Sequence, residues 1–119
     1  MYMPVKAPDD YELALLAVDV GHGDEPAQRT VTVVAGDGSR VVVAWDAWSN
    51  SATVRWYIGN HERLVMERET ITEITIREER DHIRFRLRSE IEGQDDRFVG
   101  ELVVLVGSDV SVSDTVLRT

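Results

Sequence analysis

The chain has 119 residues, of which 43 % are hydrophobic and 29 % charged, and its formal net charge is −9. That is long enough for a single domain, 1–119, with a real core, and too apolar for disorder throughout. The acidic balance argues against nucleic acid or an anionic membrane surface and suits a basic protein partner, while the lack of cysteine removes disulfides and thiolate metal sites.

Residues 1–8, with Pro4 and Pro8, read as a loosely held arm. Behind Asp9, Asp10 and Glu12 the apolar run Leu13–Val18 is too short for a membrane span and unlike a signal peptide, which predicts a cytoplasmic protein. Lys6 is the only lysine among 13 basic residues, a bias expected of a GC-rich bacterial genome. Asp9 and Glu12 have the spacing of a capping box, and Leu13, Leu16, Ala17 and Val20 fall on one helical face ahead of Gly21. The pattern predicts one N-terminal helix over 9–20, with a strand over 11–20 as the alternative.

After a polar loop from His22 to Gln28, strand-like runs follow in quick succession: 29–35, 40–48, 52–58, 63–69, 70–78, 83–91, 98–106 and 110–116. The spacers between them are short and rich in Gly, Asn, Asp and Ser, so the connections are hairpins. From Ile83 to Ile91 apolar residues alternate with His82, Arg84, Arg86, Arg88, Glu90 and Glu92. Pairing this strand forwards across Gly93–Asp96 sets Ile91 against Phe98, Leu87 against Leu102, Phe85 against Val104 and Ile83 against Val106. The other face then joins Glu92 to Arg97 and Arg88 to Glu101, so apolar parity and charge choose one register. Pairing it backwards across a two-residue Glu79-Arg80 turn sets Ile76 against Ile83, Ile74 against Phe85 and Glu73 against Arg86. An irregularity is expected near Thr72, because Ile71 and Ile74 differ in parity.

A two-residue Ser49-Asn50 turn would place Val43 opposite Trp56, Trp45 opposite Val54 and Ala47 opposite Ala52. An odd Gly59-Asn60-His61 loop with a bulge then sets Trp56 against Leu64 and Val54 against Met66. Parity sends Trp45, Val54, Trp56 and Ile58 to the core. Phe98–Val106 is apolar on both parities, which predicts a central strand with both faces covered.

No nucleophile elbow, phosphate loop or metal-ligand spacing appears. His22, His61 and His82 fall in or beside loops, where Asp19, His22 and Asp24 are ligand types without ligand geometry. Glu92, Asp95 and Asp96 are explained by a polar hairpin turn better than by a calcium loop. The stripe Arg84, Arg86 and Arg88 suits a carboxylate or phosphate, but glutamates registered opposite neutralise it. Trp48 and Tyr57 differ: they fall with Arg55 and Asp46 on the outward side of the second hairpin, a composition typical of binding hot spots. Asp46, diagonal to Arg55 in that register, is expected to hold its guanidinium.

The fold class expected is mainly β: a curved antiparallel meander of seven or eight strands, two-layered or barrel-like, with one N-terminal helix. Three function classes follow in order of support. The first is an acidic protein-binding module of the inhibitor or immunity type, masking a basic partner through Trp48, Arg55, Tyr57 and Asp46. The second is a carrier of a small apolar ligand, lined by Trp45 and Trp56. The last is an enzyme using carboxylates or histidine. No cofactor or metal is called for, neither nucleic acid nor membrane is an expected partner, and self-association stays open.

Overall fold

The structure is a computed structural model that describes residues 5–92 and 97–118. Mainly β, it has nine strands among the described residues, in two antiparallel sheets, with one short helix. Helix α1 (Asp10–Ala14) starts at the expected capping box. The Asp9 carboxylate accepts from the Glu12 amide at 2.8 Å, and the Glu12 carboxylate accepts from the Asp9 amide at 3.2 Å.

The helix stops far short of residue 20. Leu15 caps it, and β1 (Asp19–His22) pairs with β2 (Gln28–Val34), setting Asp19 opposite Thr32 and His22 opposite Arg29. Val18, Asp19, Val20 and Gly21 are poor helix formers, so the pairing offered by β2 wins over the continuing apolar period. Gly21 lies inside the strand and ends no helix. Leu13 is 1 % exposed, and Arg29 ties the helix to β2 by donating to both Asp10 carboxylate oxygens, at 2.8 and 3.2 Å. The proximal arm is held too. Val5 is buried, and Lys6 bridges to Glu73, its amide donating to the Thr72 carbonyl at 3.0 Å and its carbonyl accepting from Ile74 at 2.8 Å.

The first sheet is a meander in the order β1, β2 (Gln28–Val34), β3 (Arg40–Asp46), β4 (Ser51–Ile58) and β5 (His61–Arg68). The second follows as β6 (Ile71–Glu78), β7 (Ile83–Glu92), β8 (Arg97–Val106) and β9 (Val110–Arg118). Inward residues of both form one apolar cluster, including Val31, Val43, Trp45 and Val54 from the first sheet and Phe85, Leu87, Leu102 and Val104 from the second. The result is two layers, each presenting its period-2 apolar face to the other.

All eight strand-like runs are strands. The β7–β8 register is the expected one throughout, from Ile83 opposite Val106 to Glu92 opposite Arg97. The turn at Gly93–Asp96, with Asp95 and Asp96, lies outside the described residues. Two other hairpins are displaced by two residues. Ile76 faces Phe85 rather than Ile83, and Glu73 faces Arg88 rather than Arg86. Val43 faces Val54 rather than Trp56, and Trp45 faces Ala52.

In both hairpins the turn holds four residues where two were expected. At Glu79–His82 the Glu79 amide donates to the His82 carbonyl at 2.8 Å. At 47–50 the Asp46 carboxylate accepts from the Trp48 amide at 2.9 Å and the Ser49 amide at 3.3 Å, an Asx turn that fixes the loop length. A shift of two preserves parity, so the faces survive while the partners change.

The irregularity expected near Thr72 is present between Ile71 and Glu73. Between β4 and β5, Trp56 faces Leu64 and Val54 faces Met66 as expected, but Tyr57 faces Glu62 and Ile58 faces His61. The odd residue is therefore Arg63 inside β5, and the turn is Gly59-Asn60, with Gly59 at φ 59. Ile58, expected in the core, is 45 % exposed because it ends its strand beside this turn. Strand β8 is central, with its Leu102 face buried. Its other face (Val99, Val103 and Leu105) is only half-buried, beside Arg84 and Arg86, whose stems suit such a position.

Candidate protein-binding surface

The two sheets meet at two ends of the molecule. At one end the Gly36 amide donates to the Gly107 carbonyl at 2.8 Å, joining the β2–β3 turn to the β8–β9 turn. A Cβ on Gly36 would lie 3.1 Å from the Ser108 Cα, so a side chain there would push the two turns apart by a few tenths of an ångström. At the other end the chain crosses between sheets through Glu69-Thr70. The Ile71 amide donates to the Asn50 carbonyl at 2.9 Å, and Asn50 Nδ2 donates to the Ile71 carbonyl at 3.0 Å. Asn50 and Thr70 both have positive φ, 54° and 57°. Asparagine tolerates that region, whereas a β-branched threonine is strained in it.

The residues singled out as partner-binding divide between these ends. Asp46 and Trp48 sit at the Asn50 end, on the β3–β4 turn. Burial pushes the Asp46 carboxyl up, but hydrogen bonds from the Gln28 side chain and the Trp48 and Ser49 amides outweigh it and hold the group below the usual carboxylate range. Asp46 thus shapes the loop that presents Trp48, which is 57 % exposed. It faces Ser51, and Arg55 faces Val42, so the expected contact of Asp46 with Arg55 is replaced. Arg55 donates instead to the Glu62 carboxylate at 2.9 Å, and a hydrogen bond with Tyr57, followed by that to Glu62, raises its pKa.

Tyr57 lies at the Gly36 end of β4, and the guanidinium of Arg40 stacks over its ring at 4.7 Å. The rung holding Asp46 and the rung holding Tyr57 are six residues apart on β3 and β4, roughly 20 Å. Val34, Val42 and Val65 complete this outer face, with Val34 63 % exposed. Arg40 was not picked out from the sequence. The Asx turn at Asp46 was the signal that would have found it, because a four-residue loop sets Arg40 directly against Tyr57.

Trp45 is 4 % exposed within the core cluster. Trp56 packs half-buried against the cluster, with the Arg63 guanidinium 4.8 Å above its ring and its Nε1 buried without a hydrogen-bond partner. In the arginine stripe, Arg86 donates to Glu101 at 2.9 Å, diagonal to the backbone register. Arg88 lies 3.8 Å from Glu90, and Arg84 faces Arg77. His82 meets Asp81 at 2.7 Å and His22 meets Asp10 at 3.5 Å. Among the described residues no three His, Asp or Glu side chains gather as a metal site, and no helix is long and apolar enough to cross a membrane.

One feature of the Asn50 end is absent from any local sequence pattern. Strands β7 and β8 have ten residues each, and their far halves, with β9, form a groove of about 470 Å³ beside the end of β5. Its floor is the rung Ser89, Gly100 and Val116, with Val116 65 % exposed. A Cβ at Gly100 would come within 2.6 Å of Ser89 Oγ, so glycine keeps this floor flat. Arg68, Glu69 and Asp114 border it, with the Glu67 backbone carbonyl accepting from Arg68 at 2.9 Å, and Arg68 spans to Asp114 as an ion pair between the sheets.

No protein-family model and no curated protein matches this chain. Among solved structures, its fold is similar to a chain of a "contact-dependent growth inhibition toxin - immunity protein complex" from Klebsiella pneumoniae 342. The likeness has a TM-score of 0.73 at 11 % identity and covers 98 % of this chain and 100 % of that one.

Proposed function

We propose that this chain is an immunity-type protein that acts in the cytoplasm, binding a basic toxin-like protein and masking it. The observation that carries the reading is the end-to-end fold likeness to a chain taken from a toxin–immunity complex. The net charge of −9 supports the assignment to the masking side, since it steers a cationic partner and strengthens encounter at low salt. The outer face of the first sheet supplies the contact surface. Trp48, held out by the Asp46 turn, anchors one end, and Tyr57 with Arg40 and Arg55 anchors the other. A standard interface of about 800 Å² per partner is wide enough to span both.

Affinity capture on the tagged chain from its native host, with the bound protein identified, purified and titrated back, tests the reading. A basic protein should bind, should arrest growth when expressed alone, and should be harmless when this chain is co-expressed. Trp48→Ala should weaken the complex by at least about 2 kcal/mol without changing the fold. Capture of no basic partner, or a growth arrest that co-expression fails to relieve, overturns it.

A further inference from the structure

We infer that the open edge of β6, where the N-terminal arm leaves it, takes up an extended segment of the protein partner as an added strand. The inference deepens the reading of this chain as a masking protein and rests on it. Its first ground is hydrogen bonding. Strand β6 is an outermost strand of the four-stranded sheet, and the arm covers its edge for one parallel rung, at Lys6 and Glu73. There the Lys6 amide donates to the Thr72 carbonyl at 3.0 Å, and the Ile74 amide donates to the Lys6 carbonyl at 2.8 Å. Backbone groups alternate in direction along a strand. The Ile74 carbonyl, the Ile76 amide and carbonyl, and the Glu78 amide therefore point to this same edge. Among the described residues none of these groups has a hydrogen-bond partner.

The second ground is that the sequence itself stops the arm at this point. In the next parallel rung residue 8 would donate to the Ile74 carbonyl, and residue 8 is Pro8, which has no N–H. The chain then turns into α1, and a slot of about 540 Å³ opens between the β6 edge and the arm with the helix end. Glu73 and Thr75 line it together with Ile74 and Ile76, residues of both parities, so it follows the edge and not one face of the strand. The opposite wall is apolar, with Leu15 exposed and Leu16 half-buried. Donors and acceptors at strand spacing are matched by another backbone. The occupant is therefore a polypeptide, and Leu15 takes one of its apolar side chains. A second copy is disfavoured, because each copy carries a charge of −9 and its own arm blocks part of the edge. The third ground is position. Leu16 also lines the neighbouring hollow that ends on Val34 of the first sheet's outer face, so one partner reaches both surfaces.

The test is an amide NMR titration of the full chain with a capped five-residue peptide of alternating threonine and valine, and with its fully N-methylated counterpart, which cannot donate to a strand edge. Shifts should concentrate on Leu15, Ile74, Ile76 and Glu78 and should persist in high salt, since no charge is recognised. The N-methylated peptide should produce none. In the free chain the Ile76 and Glu78 amides should exchange with solvent faster than those of Thr75 and Arg77, which face β7, and the peptide should slow them. Glu78→Pro removes one edge donor and leaves the bonds to β7, so it should weaken peptide binding about fivefold, the loss of one hydrogen bond. Leu15→Asp, an exposed change outside the sheet, should weaken it as well. Equal shifts with the N-methylated peptide, shifts confined to the outer face of the first sheet, no shifts at millimolar peptide, or parent-like binding by both variants overturn the inference. So does a dimer in sedimentation that Glu78→Pro converts to monomer, since the occupant is then a second copy. If a captured basic partner leaves exchange at Ile76 and Glu78 unchanged, the edge assignment falls while the masking function stands. If no basic partner is captured, the masking function falls independently of the peptide result.

Discussion

The four-stranded sheet is built from strands of eight to ten residues, with charges registered across its central hairpin, whereas the five-stranded sheet uses strands of four to eight residues. In the first case Arg88 opposite Glu101 and Phe85 opposite Val104 specify one alignment twice over. In the second the outward residues of β3 and β4 other than Tyr57 are small, β-branched or singly charged, with no opposite charges registered across the pair, and the Asp46 turn decides the alignment. The displaced β6–β7 hairpin obeys the same rule, because its four-residue turn sets Glu73 against Arg88. Apolar parity thus chooses the face, while cross-strand charge or turn chemistry chooses the partner. The sheet aligned by its turns is also the one with the largest exposed aromatic, Trp48.

The sharpest test of the division is Phe85→Ala. Phe85 is fully buried at the centre of the four-stranded sheet, and its truncation should cost about 3–5 kcal/mol in denaturant unfolding. A loss below about 1 kcal/mol would mean that the first sheet carries the core. Trp48→Ala is the counterpart on the other sheet. Its midpoint of unfolding should move by less than about 0.5 kcal/mol while partner affinity drops, and a large loss of stability would make Trp48 a packing residue.

Thr70→Gly acts on the crossover that joins the sheets. Removing a β-branched side chain from φ 57 should stabilise the chain by up to about 1 kcal/mol once the added chain entropy is subtracted. A destabilisation would show that the Thr70 hydroxyl bond to the Glu69 carbonyl at 2.6 Å outweighs the strain. A double-mutant cycle on Arg86 and Glu101 should give about 0.2–1 kcal/mol, falling in high salt. Zero coupling would leave apolar parity alone as the cause of the β7–β8 register.

The smallest effect concerns the Asp46 turn and is read against pH. The folded-state pKa of Asp46 is depressed, so the unfolded chain binds the proton more readily. The stabilisation is therefore complete above the unfolded value near pH 4 and is lost as pH falls through the folded pKa below it. Asp46→Ala should be less stable than the parent at neutral pH, and the difference should shrink in acid. A gap that stays constant down to about pH 2 would show that the turn's stability does not depend on the carboxylate charge.

Local chemistry made much of the fold legible in the sequence. Period-2 alternation from Ile83 to Ile91 set that strand and its buried face, because an apolar face has to leave water wherever the strand packs. The spacing of Asp9 and Glu12 fixed the helix start, and charge with parity fixed the β7–β8 register. The N-terminal helix was too long in that reading because β1 exists only when β2 offers an edge to pair with. Trp48, Arg55 and Tyr57 were legible as surface residues, but their distribution over two ends depended on a turn two residues longer than expected. The groove was not legible at all: Arg68, Ser89, Gly100 and Val116 come from four strands and become neighbours only when one sheet outreaches the other. Sequence by itself determined which side of β3, β4, β7 and β8 turns inward, since burial acts on one residue and its next-but-one neighbour. The tertiary structure alone decided which strands meet and where a sheet runs past its cover, because those depend on contacts between residues far apart in the chain.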